Sequence, residues 1–317
     1  MPFVPLTYFE LINLAMRLYR EGKLAEAYDL VNENSDVKPG NPAQILNFRY
    51  SIASRLGDSE LAMKLMREAI VDKGYWYGYE YLLEDDDLKP LQDLPEFRSL
   101  AEKCREREIE AKVDSKPSLK IMRTGESDVH RPRLLMALHG NGDSVALTEN
   151  YWLSCLCHGY DLVLPQSSQI TFWEGYTWND LDKGLSELIE HLGSAHRMIG
   201  AEPKDLVLAG FSGGARLALL AVLKGEVTTS GLILVAPWLP ELDSWAEDIQ
   251  SIGIKGTKCW IFCGDQDRDC LEGSKKLGTM LEMAGTHVHL EIIEGLDHDF
   301  PVDFEVKLSM ILNDFKT

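Results

Sequence analysis

Cysteine is sparse in this chain, six residues in 317, and two of the six stand as Cys155-Leu156-Cys157. No C-x-x-C pair occurs, and the spacings suit neither a disulfide framework nor a cysteine-based zinc site. Scattered thiols in apolar surroundings fit a reducing compartment, so a cytoplasmic location is expected. Long apolar runs are also missing, and nothing approaches the roughly eighteen uninterrupted residues of a membrane span. Met1-Pro2-Phe3-Val4-Pro5 lacks the basic stretch and apolar core of a secretion signal. Positive charge is in deficit: 51 acidic residues against 32 basic ones leave a net charge of −19. Such a surface repels phosphate backbones and anionic lipid, so neither nucleic-acid binding nor membrane insertion is expected. What remains is an ordinary globular composition, 45% hydrophobic and 26% charged, in a chain long enough for two domains.

Gly210-Phe211-Ser212-Gly213-Gly214 is a G-x-S-x-G pentapeptide. An apolar strand-like run, Leu206-Val207-Leu208-Ala209, precedes it, and a helix-like run, Ala215 to Leu220, follows. Strand, sharp turn and helix are the context in which a serine is held in a strained conformation as a nucleophile, with glycines leaving room for strand and helix to approach. A serine hydroxyl needs a base to take its proton, and the base needs an acid to hold its tautomer. Both candidates follow in order. The strand-like run Lys258 to Cys263 ends in Gly264-Asp265-Gln266-Asp267, and functional residues of open α/β sheets lie just beyond such strand ends. Asp267 is the favoured acid and Asp265 the alternative. The run His287 to Ile293 ends in a loop that carries His298, the candidate base.

An acyl-transfer site also needs two N–H groups aimed at the developing oxyanion. One falls to Gly213, next to the serine. The other falls to Asn141, in the loop His139-Gly140-Asn141-Gly142-Asp143-Ser144 after the strand Arg133 to Leu138. His139 is expected to brace that loop rather than act as a second base.

These segments, together with Pro237-Trp238-Leu239-Pro240, resemble the phospholipase/carboxylesterase family, which includes acyl-protein thioesterases. The similarity runs from about Leu134 to Phe304. It implies an α/β-hydrolase fold, a mostly parallel sheet flanked by helices. It also implies a Ser212, Asp267 and His298 triad acting on ester or thioester substrates, and no cofactor. The family usually carries Gln at the position of Gly213 and Val-Pro where this chain has Arg268-Asp269. Both departures alter the walls of an acyl pocket. The segment Ser167 to Trp178 is long for a loop at a strand end, and Phe172, Trp173, Tyr176 and Trp178, joined by Trp238, are expected to wall that pocket. His287-Val288-His289 has a zinc-like spacing, but an edge strand with one solvated face explains it, and no metal is expected.

Residues 1–115 read as all-α, with Asp114 to Ser118 as linker and a hydrolase domain over residues 119–317. Leu18, Gly22, Ala27 and Leu30 recur 35 residues later as Ala53, Gly57, Ala62 and Leu65, which resembles a tetratricopeptide repeat. A third helical pair is expected around Tyr75 to Glu110. Such a region is either a cap over the hydrolase or a surface for a protein partner or self-association. Two other readings stay open: a serine peptidase of the same fold, and a non-catalytic adaptor with a hydrolase-like scaffold.

Overall fold

The computed structural model describes residues 6–125, 132–200, 204–251 and 256–315. They divide into two compact units, and the division is not a single cut. One unit holds the chain up to Ser115 together with Ile170–Gly175; the other holds Lys116–Gln169 and everything from Tyr176 on.

The first unit is helical. Its helices are α1 (Tyr8–Arg20), α2 (Leu24–Glu33), α3 (Pro42–Arg55), α4 (Ser59–Arg67), the short α5 (Tyr79–Glu84) and the long α6 (Pro95–Asp114). Local sequence sets their starts. Thr7 and Glu10 form a reciprocal capping box, and Asn41 caps α3 by accepting the N–H groups of Ala43 and Gln44, with Pro42 at the first helical position. Two helical hairpins, α1 with α2 and α3 with α4, each turn at a left-handed glycine, Gly22 and Gly57. The expected third pair differs. After α4 the chain makes a π-helical turn (Glu68–Asp72) and runs without regular structure through Tyr75, Trp76 and Tyr77 before α5. Trp76 and Tyr77 are buried in the core of this unit with Tyr50, Leu82, Phe97 and Leu100.

Ile170–Gly175 completes that core. Ile170, Phe172 and Trp173 pack against it. The Trp173 N–H donates to the Trp76 carbonyl at 3.1 Å, the Asn41 amide donates to the Trp173 carbonyl at 3.0 Å, and the Trp173 ring lies 5.4 Å from that of Tyr75. Phe172 and Trp173, expected as pocket walls, are thus accounted for by packing in the helical unit. The stretch read as a loop contains two short strands, β4 (Gln169–Phe172) and β5 (Gly175–Thr177).

The second unit is an α/β sheet structure built on β1 (Ser118–Met122), β2 (Arg133–Leu138), β3 (Tyr160–Gln166), β6 (Asp205–Phe211), β7 (Gly231–Val235), β8 (Lys258–Gly264) and β9 (Val288–Ile293). The strand order is β1-β3-β2-β6-β7-β8-β9, with every pair parallel except β1 and β3. The expected linker therefore runs into an antiparallel edge strand. The helices α7 (Val145–Trp152), α8 (Leu181–Ile199), α9 (Gly213–Leu223), α10 (Ala246–Ser251), α11 (Leu271–Met283) and α12 (Phe304–Asp314) complete the unit. Strand β7 and helix α9 are buried from end to end, as expected of central elements covered on all sides. The main core joins β2, β6 and β7 to α8, α9 and α11 through Leu134, Leu188, Leu208, Leu217, Leu234 and Leu277. Strand β9 lies at the far edge with His289 exposed, as the solvated-face reading of that stretch requires.

Replacing Trp173 with Ala is expected to destabilise the helical unit by about 2 kcal/mol, below the 3–5 kcal/mol of a fully buried Trp because the side chain is only half-buried. Hydrogen exchange checks this: amides of α3 and of residues 75–77 should lose protection while those of β6 to β8 keep theirs. Equal loss in the sheet would contradict the assignment of Ile170–Gly175.

Candidate active site

Ser212 sits in the turn between β6 and α9 with φ 52° and ψ −117°, a left-handed backbone that a non-glycine residue adopts only under constraint. Its N–H donates to the Val235 carbonyl at 2.9 Å, which ties the turn to β7, and its carbonyl accepts the Arg216 N–H at 3.2 Å and the Trp238 N–H at 3.4 Å. Although Ser212 stands at the start of α9, its side chain makes no capping hydrogen bond. The turn also needs the absence of side chains around it. A Cβ on Gly214 would collide with the backbone carbonyls of His139 and Leu138, and one on Gly213 would collide with the Asn141 side chain. Any larger residue at this position would require the Asn141 side chain to move.

Asn141 is held by two bonds: its Oδ1 accepts the Trp178 N–H at 2.8 Å, and its Nδ2 donates to Asn179 Oδ1 at 2.9 Å. The rest of that loop is braced from below. His139 Nδ1 pairs with the Gly140 carbonyl at 2.7 Å, while Nε2 accepts the Ser167 N–H at 3.2 Å and faces the Gln166 amide at 2.9 Å. Burial pushes the His139 pKa down to about 4, so the ring is neutral and structural. Gly142 N–H donates to the Tyr176 carbonyl and Tyr176 N–H to the Asp143 carbonyl, locking loop to strand. Trp178 is fully buried, with its indole N–H on the His139 carbonyl at 2.9 Å, which makes it a core residue under the loop rather than a pocket wall. Tyr176 is half-buried beside His139.

The two loops after β8 and β9 are laced together. A Cβ on Gly264 would collide with the Leu296 carbonyl, so these backbones cross where only glycine fits. Asp265 Oδ1 accepts the Gly295 N–H at 2.7 Å, and Gln266 N–H donates to the Leu296 carbonyl at 2.9 Å. Asp265 is therefore a loop tie. Asp267 is the carboxylate that faces the histidine: its Oδ2 lies 2.7 Å from His298 Nδ1, and its Oδ1 accepts the N–H groups of Asp269 and Cys270. Burial works against the Asp267 charge, but the His298 hydrogen bond and charge outweigh it and leave the pKa below the usual carboxylate value. For His298, burial pulls the pKa down, whereas the hydrogen bond and charge of Asp267, then the charges of Asp143 and Asp297, carry it above the ordinary histidine value. The imidazole lies 4.9 Å from the Phe211 ring, adjacent in sequence to Ser212, and Phe211 stacks on Phe300 at 4.7 Å.

Three functional candidates escape a reading of the sequence. Asp143 is buried, accepts the Gly140 N–H and feels His298; burial pushes its pKa up to about 7. Arg216, one turn along α9, is buried, pairs with Glu241 and lies 4.9 Å over the Trp238 ring. It fixes the half-buried Trp238, whose own N–H is on Ser212. Cys270 places its sulfur 3.6 Å from His298 Nδ1. The sequence holds no signal for these beyond their closeness to the motifs, because each depends on residues far away along the chain.

A family model described as A/B hydrolase-like, N-terminal domain, matches residues 7–112. Over 98% of both chains, the protein is 38% identical to an uncharacterized protein from Bacillus cereus ATCC 10987, with a TM-score of 0.56. The crystal structure of esterase PE8 is 20% identical over 63% of this chain and 99% of that one, with a TM-score of 0.52. A carboxylesterase from Mesorhizobium loti is 18% identical over 63% of this chain and 96% of that one, with a TM-score of 0.51. No functionally curated protein matches the chain.

The electrostatics of His298 can be measured directly by following its ring carbon resonance with pH. The pKa should lie above about 6.5, the ordinary histidine value, and should fall in Asp267→Asn, which removes a hydrogen-bonded negative charge, and by less in Asp143→Asn, because Asp143, with its pKa at about 7, is only partly ionised there. A wild-type value at or below the ordinary one would contradict the arrangement.

Proposed function

The chain belongs to one family with the uncharacterized Bacillus cereus protein, and from that premise we propose that it is a serine hydrolase of the α/β-hydrolase superfamily, cleaving carboxylic ester or thioester bonds. The observation that carries the reading is the 2.7 Å pairing of His298 Nδ1 with Asp267, combined with a serine held left-handed at the β6–α9 turn. In this reading His298 Nε2 takes the Ser212 proton as the hydroxyl attacks the carbonyl carbon. Asp267 holds the proton on Nδ1 and so keeps Nε2 free to accept. The imidazolium then protonates the leaving alcohol or thiol, and water, activated by the same nitrogen, releases the acid.

The N–H groups of Gly213 and Asn141 are the proposed oxyanion donors. Gly213 is the first residue of α9, where backbone N–H groups lack intrahelical partners and the helix dipole favours negative charge. The packing of Asn141 on Gly213 supports placing both donors together. Trp238, pinned by Arg216, is the retained candidate for a pocket wall. The chemistry asks for no cofactor.

Finer parts of the reading rest on resemblance. The Ser, Asp and His order, with the loops that carry them, favours the phospholipase/carboxylesterase kind of hydrolase. The paired hairpins turning at Gly22 and Gly57 favour a tetratricopeptide-like origin for the helical unit. All six cysteines are free thiols, which favours a reducing compartment. Among the described residues no helix is long and apolar enough to cross a membrane.

The test is labelling with a fluorophosphonate alongside turnover of p-nitrophenyl esters of increasing chain length. Wild type should label, and Ser212→Ala and His298→Ala should not, with kcat/KM down by on the order of 10⁴-fold or more. Asp265→Asn should cost far less than Asp267→Asn, because only Asp267 contacts the imidazole. A folded wild type that neither labels nor turns over any ester would end the proposal.

A further inference from the structure

A mechanism based on Ser212 has no use for a thiol beside the histidine, yet one is present. Cys270 lies at the start of α11, fully buried, with Sγ 3.6 Å from His298 Nδ1. The Asp267 carboxylate lies 2.7 Å from the same nitrogen. One ligand-type atom from each of the three residues falls within 4.8 Å of the other two, the one such cluster found among the described residues.

Sulfur, imidazole nitrogen and carboxylate oxygen make a donor set that zinc accepts. A tetrahedral ion with a Zn–S bond near 2.3 Å and a Zn–N bond near 2.0–2.1 Å sets the two donors about 3.6 Å apart. That is the separation already present. The carboxylate would sit roughly 3.4 Å from the nitrogen in such a geometry, so it must withdraw by less than about 1 Å, exchanging a hydrogen bond for a metal bond. His298 is the exposed member, its side chain 32% accessible against 2% for Asp267, so an ion reaches the cluster past the imidazole.

We propose that Asp267, Cys270 and His298 form an inhibitory site for a thiophilic divalent cation such as zinc or cadmium. The proposal rests on the reading of His298 as general base. The ion takes the Nδ1 lone pair, the proton that Nδ1 carried moves to Nε2, and the thiol proton leaves to solvent, one proton released per ion bound. The metal therefore fixes the wrong tautomer. An imidazole with hydrogen on Nε2 has nothing there with which to accept the Ser212 proton, and Asp267 is diverted from its partner.

Two measurements on chelator-treated full-length protein test this. In the first, cadmium is titrated into Ser212→Ala and into Ser212→Ala with Cys270→Ser, following the ultraviolet thiolate-to-cadmium charge-transfer band. Cys157 is an exposed thiol that can also bind cadmium, and the pairing of variants isolates the Cys270 contribution. In the second, zinc inhibition of p-nitrophenyl ester turnover is compared between wild type and Cys270→Ser, each against its own metal-free rate. Cys270→Ala, checked for native circular dichroism, replaces the serine variant if that one does not fold.

A band lost with Cys270, and an inhibitory zinc concentration raised at least about tenfold, the lower end of what even an outer-shell partner contributes to a metal site, would support the site. A band and inhibition that persist unchanged without Cys270 would overturn it, as would no band in Ser212→Ala. A Cys270-dependent band without inhibition of the wild type would overturn the inhibitory role. If metal-free wild type shows no turnover, the hydrolase reading fails by itself, while the cadmium band, which needs no turnover, still decides whether the cluster binds metal.

Discussion

The left-handed backbone of Ser212 is the constraint around which the sheet unit is organised. A residue forced to positive φ with a side chain in place costs on the order of 1–3 kcal/mol, and it persists only where neighbours leave no alternative. Here the neighbours are backbone. Val235 takes the Ser212 N–H, Trp238 and Arg216 reach its carbonyl, and the His139 carbonyl lies so close to Gly214 that a methyl group would not fit. Strand β7 and the loops after β2 and β7 are all placed by this one turn. The residues that hold it are glycines and main-chain groups, so their work is nearly invisible to composition.

Legibility in the sequence followed from whether a feature is local. Strands β2, β6 and β8 and helix α9 could be read because each is an apolar run bounded by glycine or polar residues, β9 because it alternates apolar and polar residues, and the G-x-S-x-G turn announces its own geometry. Strand β1 could not, since Ser118-Leu119-Lys120-Ile121-Met122 looks like the continuation of a linker until its partner β3 is known. Among the candidate site residues, the loops that carry Ser212, Asp267 and His298 could be placed from the sequence, each following a strand. Which of Asp265 and Asp267 meets the histidine depends on the crossing of two loops distant in sequence, which gives the first to Gly295 and the second to His298. Trp178 is fully buried and Trp173 packs partly against the helical core, for a common reason. An aromatic in a long loop at a strand end reads as a pocket wall, but burial against a core is the other way to satisfy a large ring, and the sequence holds no marker of which core.

The polar groups around His298 concentrate negative charge at a partly buried imidazole. Asp267, Asp143 and Asp297 all act on the imidazole, and Asp299 adds to the field at Asp143. In a net-acidic chain the His298 pKa is thus raised by the carboxylates beside it rather than by overall charge. The same crowding brings a buried sulfur against Nδ1, so the atom that holds the proton in place is also the most contested atom of the site.

The two-segment composition of the helical unit bears on how the chain acquires its structure during synthesis. Helices α1 to α6 emerge from the ribosome first, but Trp173, which caps the Trp76 carbonyl and takes the Asn41 amide, is made about sixty residues after Ser115. At roughly 5–20 residues per second, that leaves the helices waiting about 3–12 seconds with one face of their core open. The sheet meanwhile cannot join β6 to β2 until still later residues appear. The nascent chain thus passes through a window in which the helices are made but Ile170–Gly175 is not, and the sides of Tyr75 and Trp76 that Trp173 meets are still open.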